Sequence, residues 1–161
     1  MHKQFRPGAK GALLDIYEET IALFKNTIDD IPIDIITNVI DTQTPDENCR
    51  SVQSILSHVV HAGFGYALSI HNLKEHNIVR PDKTFHTRVS EYRADLDKMF
   101  NYTLEVFNEI EDHELEQLDN AFKIKTGWGQ WYDIEQIMEH AIVHVLRHQR
   151  QLQKLKLENK Y

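Results

Sequence analysis

The sequence predicts an all-α protein folded as a four-helix bundle. Glycine and proline are scarce, at 6 and 4 of 161 residues, and most of them lie between segments whose apolar residues recur every three or four positions. This period places apolar side chains on one face of a helix. Four such segments of roughly 20 to 27 residues, with modest loops between them, favour one bundle domain over residues 1–161.

The first two helices are predicted in the N-terminal half. The first covers ALLDIYEETIALFKNTIDDI and ends near Pro32, because proline breaks a helix. Its predicted apolar stripe is Leu13, Ile16, Tyr17, Ile21, Phe24 and Ile28. The second helix follows the turn-prone PDENCR, has Ser51 as a candidate N-cap and runs to about Asn77.

The C-terminal half predicts two further helices. A loop around Pro81 precedes the third helix, which is predicted from roughly Val89 to Ile110 with Leu96, Phe100, Leu104 and Phe107 as its stripe. The segment FKIKTGWGQWYD is rich in β-forming residues and contains two glycines, which predicts a short hairpin or an ordered loop. The fourth helix is predicted from about Asp133 to about Glu158.

Composition argues against several classes of protein. The formal charge of −7 disfavours a general nucleic-acid binder, because such proteins gain affinity by neutralising phosphates. No apolar run approaches the ~18 residues of a membrane span, and the N-terminal segment lacks the apolar core of a signal peptide. The single cysteine, Cys49, allows no intramolecular disulfide, and with no histidine beside it in the sequence it is not predicted to be a nucleophile. We therefore expect a cytoplasmic protein.

The fourth helix carries three histidines at intervals of four, in MEHAIVHVLRHQRQ. At about 100° per residue, His148 lies about 20° and His144 about 60° from Ala141 at the centre of the apolar stripe, whereas His140 lies about 100° away at its margin. A core-facing imidazole is costly unless its nitrogens find partners. The pair at 144 and 148 therefore predicts either a divalent metal ion held from one helix face or hydrogen bonds across the bundle.

The second helix offers further histidines. His58 lies about 80° from the centre of its apolar stripe, on the flank, and His61 about 140° away, facing outward. The helical wheel therefore prefers His58 as a third ligand. His71 and His76 fall in the last predicted turns, where they are interpreted as ordinary surface residues.

Known metal-site motifs of other helical proteins fit poorly. The chain has no Glu-x-x-His pair for a carboxylate-bridged di-iron site and no His-Glu-x-x-His motif. A haemerythrin-like set would use His71-x-x-x-Glu75 with His144-x-x-x-His148, and it would need a further ligand beyond His148, where no histidine follows.

SVQSILSHVV, followed at a distance by EHAIVHVLRHQRQL, resembles the DinB/YfiT-like four-helix bundles, and the likeness in length and helix order spans nearly the whole chain. The resemblance implies an up-down-down-up bundle that binds a divalent metal ion through three histidines, here His58, His144 and His148. Many relatives continue His-Arg-Gly-Gln after the last ligand, whereas this chain reads His148-Gln149-Arg150-Gln151.

The resemblance also implies an activity. Members of the family are thiol-dependent S-transferases and isomerases, and some relatives are hydrolases. We therefore expect a divalent ion (zinc, nickel, manganese or iron) that assists transfer of a low-molecular-weight thiol onto a small electrophile, without nucleic-acid or membrane partners. The alternatives are a non-enzymatic metal- or ligand-binding protein, a homodimeric stress-related bundle, or a metal-dependent hydrolase.

Five other side chains keep two interpretations each. His140 is either a neighbour of the metal ligands that shuttles protons or a surface histidine. Arg147 and Arg150 either hold an anionic cosubstrate or balance the helix dipole. Trp128 and Trp131 either cover a pocket or pack on the end of the bundle.

Overall fold

The computed structural model describes residues 4–158 and contains four long helices, which confirms the all-α prediction. These are α1 (Gly8–Ile28), α2 (Val52–Asn72), α3 (Val89–Phe107) and α4 (Ile134–Leu157). Single 3-10 turns lie in the connections at Glu47–Cys49, Asp112–Glu114 and Asn120–Phe122. The glycine-containing segment forms a hairpin, one of its two predicted structures, in which β1 (Ile124–Lys125) pairs antiparallel with β2 (Trp131–Tyr132).

Side-chain caps start the two helices that carry the histidines. Ser51 accepts a hydrogen bond from the backbone N–H of Ser54, so the predicted N-cap of α2 is confirmed. At the start of α4, Asp133 and Gln136 exchange side-chain and backbone hydrogen bonds in a capping box. Both caps satisfy backbone donors that the first turn of a helix leaves unpaired.

The second helix ends about one turn earlier than its sequence predicts. It stops at Asn72 rather than near Asn77, because Glu75 (φ 65°) and Asn77 (φ 55°) adopt the left-handed conformation that terminates helices. The histidine between them, His76, therefore lies in a turn and not on the helix.

Helices α1 and α4 run in one direction and α2 and α3 in the other, an up-down-down-up order. Contacts whose residue numbers rise together mark parallel neighbours, and contacts that rise on one helix while falling on the other mark antiparallel neighbours. These contacts are Ser57–Tyr92 and His71–Tyr102 between α2 and α3, Tyr66–His140 and His58–His148 between α2 and α4, and Lys10–Ile110 and Asp29–Arg93 between the ends of α1 and α3.

Two parallel neighbours need a long connection, and the chain supplies it between α2 and α3. A 21-residue helix is about 31 Å long, and the 16 residues from 73 to 88 can span about 50 Å when extended. Residues 78–86, here called the return segment, run back along α2 without regular structure. Its contacts with α2 pass from Ile78 on Asn72, through Arg80 on Gly65, to His86 on Gln53.

The apolar faces of the four helices meet in one core. The apolar stripe of α4, which is centred on Ala141 and recurs every three or four residues, is buried throughout, at Ile134, Ile137, Met138, Ala141, Val145, Leu152 and Leu155. The prediction for α1 is wrong at Ile16, which is 51% exposed, because Leu14 takes the inward position instead. In the part of the chain that the structure describes, no helix has the length and apolar character needed to cross a membrane.

Candidate metal centre

The three histidines selected from the sequence lie together where α2 faces α4. The Nε2 atoms of His58 and His144 are 2.9 Å apart. The ring centroid of His148 lies 5.1 Å from that of His58 and 4.7 Å from that of His144. One ligand nitrogen from each of the three rings lies within 4.8 Å of the other two, so the group could hold a metal ion.

Helix geometry explains why these rings meet. His144 and His148 are one turn apart on the core-facing side of α4, where both are buried, with 5% and 9% of their surface exposed. His58 lies on the flank of α2 and is half-buried. Because α2 and α4 are neighbours, the flank of α2 that carries His58 faces His144 and His148 on α4.

Burial keeps the imidazoles neutral. Desolvation, and secondarily the neighbouring histidines, lower the pKa of His58 to about 4 and that of His144 to about 3. Desolvation also lowers the pKa of His148. The rings are therefore uncharged at neutral pH, and each has a nitrogen lone pair, which is the form of histidine that ligates metal ions.

The hydrogen bond of His148 determines which of its nitrogens is free. Its Nδ1 lies 2.9 Å from Oε1 of Gln151, an oxygen that can only accept, so Nδ1 carries the hydrogen. The lone pair is then on Nε2. A partner of this kind, which orients the ring from the far side, is typical of metal-ligating histidines.

The chemistry of the group fits a cation. The facing Nε2 atoms of His58 and His144 either share one proton or bind one common ion. Nδ1 of His144 is buried and has no hydrogen-bond partner within residues 4–158. Such an atom costs about 1–3 kcal/mol, and native proteins keep few of them outside functional sites. Ligands that share an ion through bonds of about 2.1 Å lie at most about 4.2 Å apart, so small ring rotations suffice.

A pocket of about 470 Å³ opens beside His58, which forms part of its wall, whereas His144 and His148 do not line it. Its other sides come from α2, from Ile78 and Arg80 of the return segment and from the hairpin. Arg80 and Lys125 are exposed on its rim and form no ion pair with a carboxylate in the described part of the chain. The pocket therefore presents two uncompensated positive charges although the protein is acidic overall.

An aromatic series connects the pocket to the histidines. Trp128 lines the pocket and stacks on His140, with ring centroids 4.7 Å apart and an angle of 22°. His140 is half-buried and lies 6.3 Å from the ring of His144. Trp131 does not line the pocket, and its ring instead receives the ammonium group of Lys125 at 5.8 Å.

The two arginines of α4 differ in their relation to the site. Both are exposed. The positive charge of Arg147 contributes to the lowered pKa of His140, His144 and His148. Neither Arg147 nor Arg150 lines the pocket, which favours, for Arg150, the interpretation as a partner of the helix dipole.

Cys49 lies closer to the site than the sequence indicates. Its Sγ is 3.8 Å from Oε1 of Gln151, the same oxygen that receives the hydrogen bond of His148. Burial raises the pKa of the thiol, so at neutral pH Cys49 is protonated. The sequence holds no signal for this contact, because residues 49 and 151 meet only through the packing of the connection before α2 against α4.

Comparisons of this chain with models of protein families, with curated proteins and with solved structures find no match.

Proposed function

We propose that this chain is a DinB/YfiT-like protein that binds a divalent metal ion and transfers a low-molecular-weight thiol onto a small electrophile. The observation that carries the proposal is the meeting of three neutral imidazoles, from His58, His144 and His148, with His58 also on the wall of an open pocket. Three protein ligands leave further positions of an ion free, which distinguishes a catalytic site from a closed structural one.

The ligand set limits the choice of ion. Imidazole nitrogens suit zinc, nickel, iron and, less strongly, manganese, and they disfavour calcium and magnesium, which prefer oxygen. When bound, such an ion supplies a Lewis acid that lowers the pKa of a thiol at the site.

The chain's own residues would orient a metal ligand and accept the proton of the thiol. Gln151 holds His148 with Nε2 toward its partners. Burial and the charge of Arg147 lower the pKa of His140, so His140 is neutral and able to accept the thiol proton. Transfer then forms one bond from sulfur to the electrophilic carbon and breaks the bond to the leaving group, which departs with its electron pair.

The pocket supports an anionic thiol as the substrate. Arg80 and Lys125 lie on its rim without carboxylate partners, and a charge-assisted hydrogen bond to a substrate carboxylate is about twice as strong as a neutral one. Trp128 adds a flat apolar wall. We therefore expect mercaptosuccinate to be a better substrate than the uncharged 2-mercaptoethanol.

Elemental analysis after treatment with chelator and reloading with zinc tests the ligand set. We expect His144→Ala to lose the ion of this centre and His61→Ala, which alters another half-buried histidine of the bundle, to retain it. Equal retention by the two variants would contradict the assignment. The next measurement is the coupling of mercaptosuccinate to a haloarene or an epoxide, which His144→Ala should abolish.

A non-enzymatic metal- or ligand-binding protein is the second candidate. It is favoured by Arg150, which stands where many relatives of the DinB/YfiT-like family carry glycine. In that case the protein retains its ion and binds the thiol, but it does not accelerate coupling to any electrophile in the panel. A homodimer, one of the alternatives given above, stays a prediction, for which sedimentation velocity is the measurement.

A further inference from the structure

A second group of ligand atoms lies outside the histidine centre, where the C-terminal ends of α2 and α3 come together. It consists of His71 in the last turn of α2, His76 in the turn that follows, and Glu109 just beyond α3. Because α2 and α3 run parallel, their C-terminal ends lie side by side. One ligand atom from each residue lies within 4.8 Å of the other two.

The carboxylate of Glu109 lies near both histidines of this group. Oε2 of Glu109 lies 3.0 Å from Nε2 of His76, while the second oxygen, Oε1, lies 3.9 Å from Nε2 of His71. A distance of 3.9 Å is too long for a hydrogen bond. Ligand atoms that share an ion through bonds of about 2.0–2.1 Å lie at most about 4.2 Å apart, so both distances are compatible with a common ion.

A tyrosine orients the inner histidine from its far side. Nδ1 of His71 and the hydroxyl of Tyr102 are 2.7 Å apart, and the side chain of His71 is only 15% exposed. This bond directs Nε2 of His71 toward Glu109. Partners on the second nitrogen are typical of histidines that ligate metal ions.

The turn that carries His76 is held in place by its neighbours. Glu75 and Asn77, on either side of it, both have positive φ, which is uncommon for glutamate and stores strain. The side chain of Asn72 closes the turn through two hydrogen bonds with the backbone of Ile78, at 2.8 and 3.0 Å. The ring of His76 contacts that of His71, with centroids 3.9 Å apart and an angle of 48° between the rings.

We propose that His71, His76 and Glu109 form a second divalent-metal site, with Tyr102 as the group that positions His71. Two imidazoles and one carboxylate suit zinc and its neighbours in the first transition row rather than calcium or magnesium. Water completes the coordination, because His76 and Glu109 are exposed. The site is independent of the three-histidine centre and of its proposed activity.

An ion at this place ties two helix ends together near the pocket. Asn72 and Ile78, which close the turn carrying His76, also line the pocket beside His58. Binding would therefore stiffen one pocket wall. This effect is structural and requires no contact between the second ion and a substrate.

Zinc stoichiometry on the whole 161-residue chain tests the proposal. Chelator-stripped protein is dialysed against zinc, and zinc and protein are quantified by elemental and amino-acid analysis. We expect two ions per chain in the wild type, one in His76→Ala, one in Glu109→Gln, and two in His113→Ala, the matched control at an exposed histidine. The Tyr102→Phe variant should bind the second ion about ten- to hundredfold more weakly.

The double variant separates the two sites. His144→Ala should keep one ion, and His144→Ala with His76→Ala should keep none. One ion in the wild type that is lost in His144→Ala overturns the second site. So does equal zinc content in His76→Ala and His113→Ala. If instead the only ion is lost in His76→Ala, the second site stands and the three-histidine centre fails.

Discussion

At the scale of single residues, the histidines of α4 differ by what lies on their far side. Gln151 accepts the Nδ1 hydrogen of His148, whereas Nδ1 of His144 is buried and has no partner among the described residues. The orientation of His148 is therefore determined by a hydrogen bond on its far side, whereas the ring of His144 is held by packing and, on its near side, by its contact with His58. Helical spacing on one helix predicts that residues 148 and 151 are neighbours, but not which way an amide points.

Removing the amide of Gln151 tests the orienting role. We expect Gln151→Ala to weaken metal binding by about ten- to hundredfold, because His148 loses the group that keeps its lone pair on Nε2. The measurement is competition for zinc against a chromophoric chelator. Gln149→Ala is the matched control, since Gln149 bonds Thr27 of α1 instead. A similar loss in both variants would indicate general destabilisation of α4.

Residue identity alone predicted part of the candidate site. Angles on a helical wheel selected His144 and His148 and preferred His58 to His61. They did not select Arg80, Lys125 or Cys49, whose positions depend on how connections fold against helices. A loop residue has no periodicity from which its direction can be predicted.

At the scale of elements, one side of α2 is the surface on which the return segment packs. A Cβ atom at Gly65 would lie 2.5 Å from a guanidinium nitrogen of Arg80, and one at Gly63 would lie 1.9 Å from Sδ of Met99. Glycines inside a helix indicate close approach of another group, because they otherwise weaken the helix by about 1 kcal/mol. That signal is present in AGFGYA, but it does not name the partners.

Substitution of these two glycines by alanine should affect the free energy of unfolding differently. Gly63→Ala should lower the free energy of unfolding by about 1–3 kcal/mol, since Met99 is fully buried and cannot move aside. Gly65→Ala should leave stability unchanged or raise it by about 0.5–1 kcal/mol, since the exposed Arg80 can swing away. Urea unfolding of both variants is the measurement.

Displacement of Arg80 also has a functional consequence. Gly65→Ala should weaken binding of mercaptosuccinate about tenfold, the loss of about 1.4 kcal/mol from a charge-assisted contact. Binding of 2-mercaptoethanol should not change, because it has no carboxylate. Calorimetric titration of both thiols gives the comparison, and equal weakening of the two would argue against Arg80 as the anion-binding group.

At the scale of the whole molecule, the buried imidazoles make the metal-free protein sensitive to acid. The pKa of an unfolded histidine is about 6.5, whereas burial lowers those of His58 and His144 to about 4 and about 3. Between these values the unfolded chain binds more protons than the folded one, so stability falls as the pH falls. Above about pH 6.5 the two histidines are deprotonated in the folded and the unfolded chain alike, and they no longer make stability depend on pH.

Urea unfolding in the presence of chelator measures this effect. From about pH 7 to about pH 5 the free energy of unfolding should decrease in the wild type and decrease less steeply in His144→Leu. His113→Ala should follow the wild type, because His113 is exposed. Carboxylates whose pKa is lowered, such as Asp46 and Asp95, lose their contribution at lower pH and do not account for a difference in this window. Identical slopes in the wild type and His144→Leu would contradict the prediction.

The sequence by itself determined the helical class, the four helices to within a few residues at most ends and the inward direction of His144 and His148, and it gave the hairpin as one of two alternatives. These features follow from local periodicity, caps and turn-forming residues, all of which act over a few positions. Tertiary structure alone decided that His58 meets the pair, that Arg80 returns to Gly65 and that His71, His76 and Glu109 meet. Each of those contacts joins residues from separate elements or from a turn without periodicity, and the packing of helices and connections brings them together.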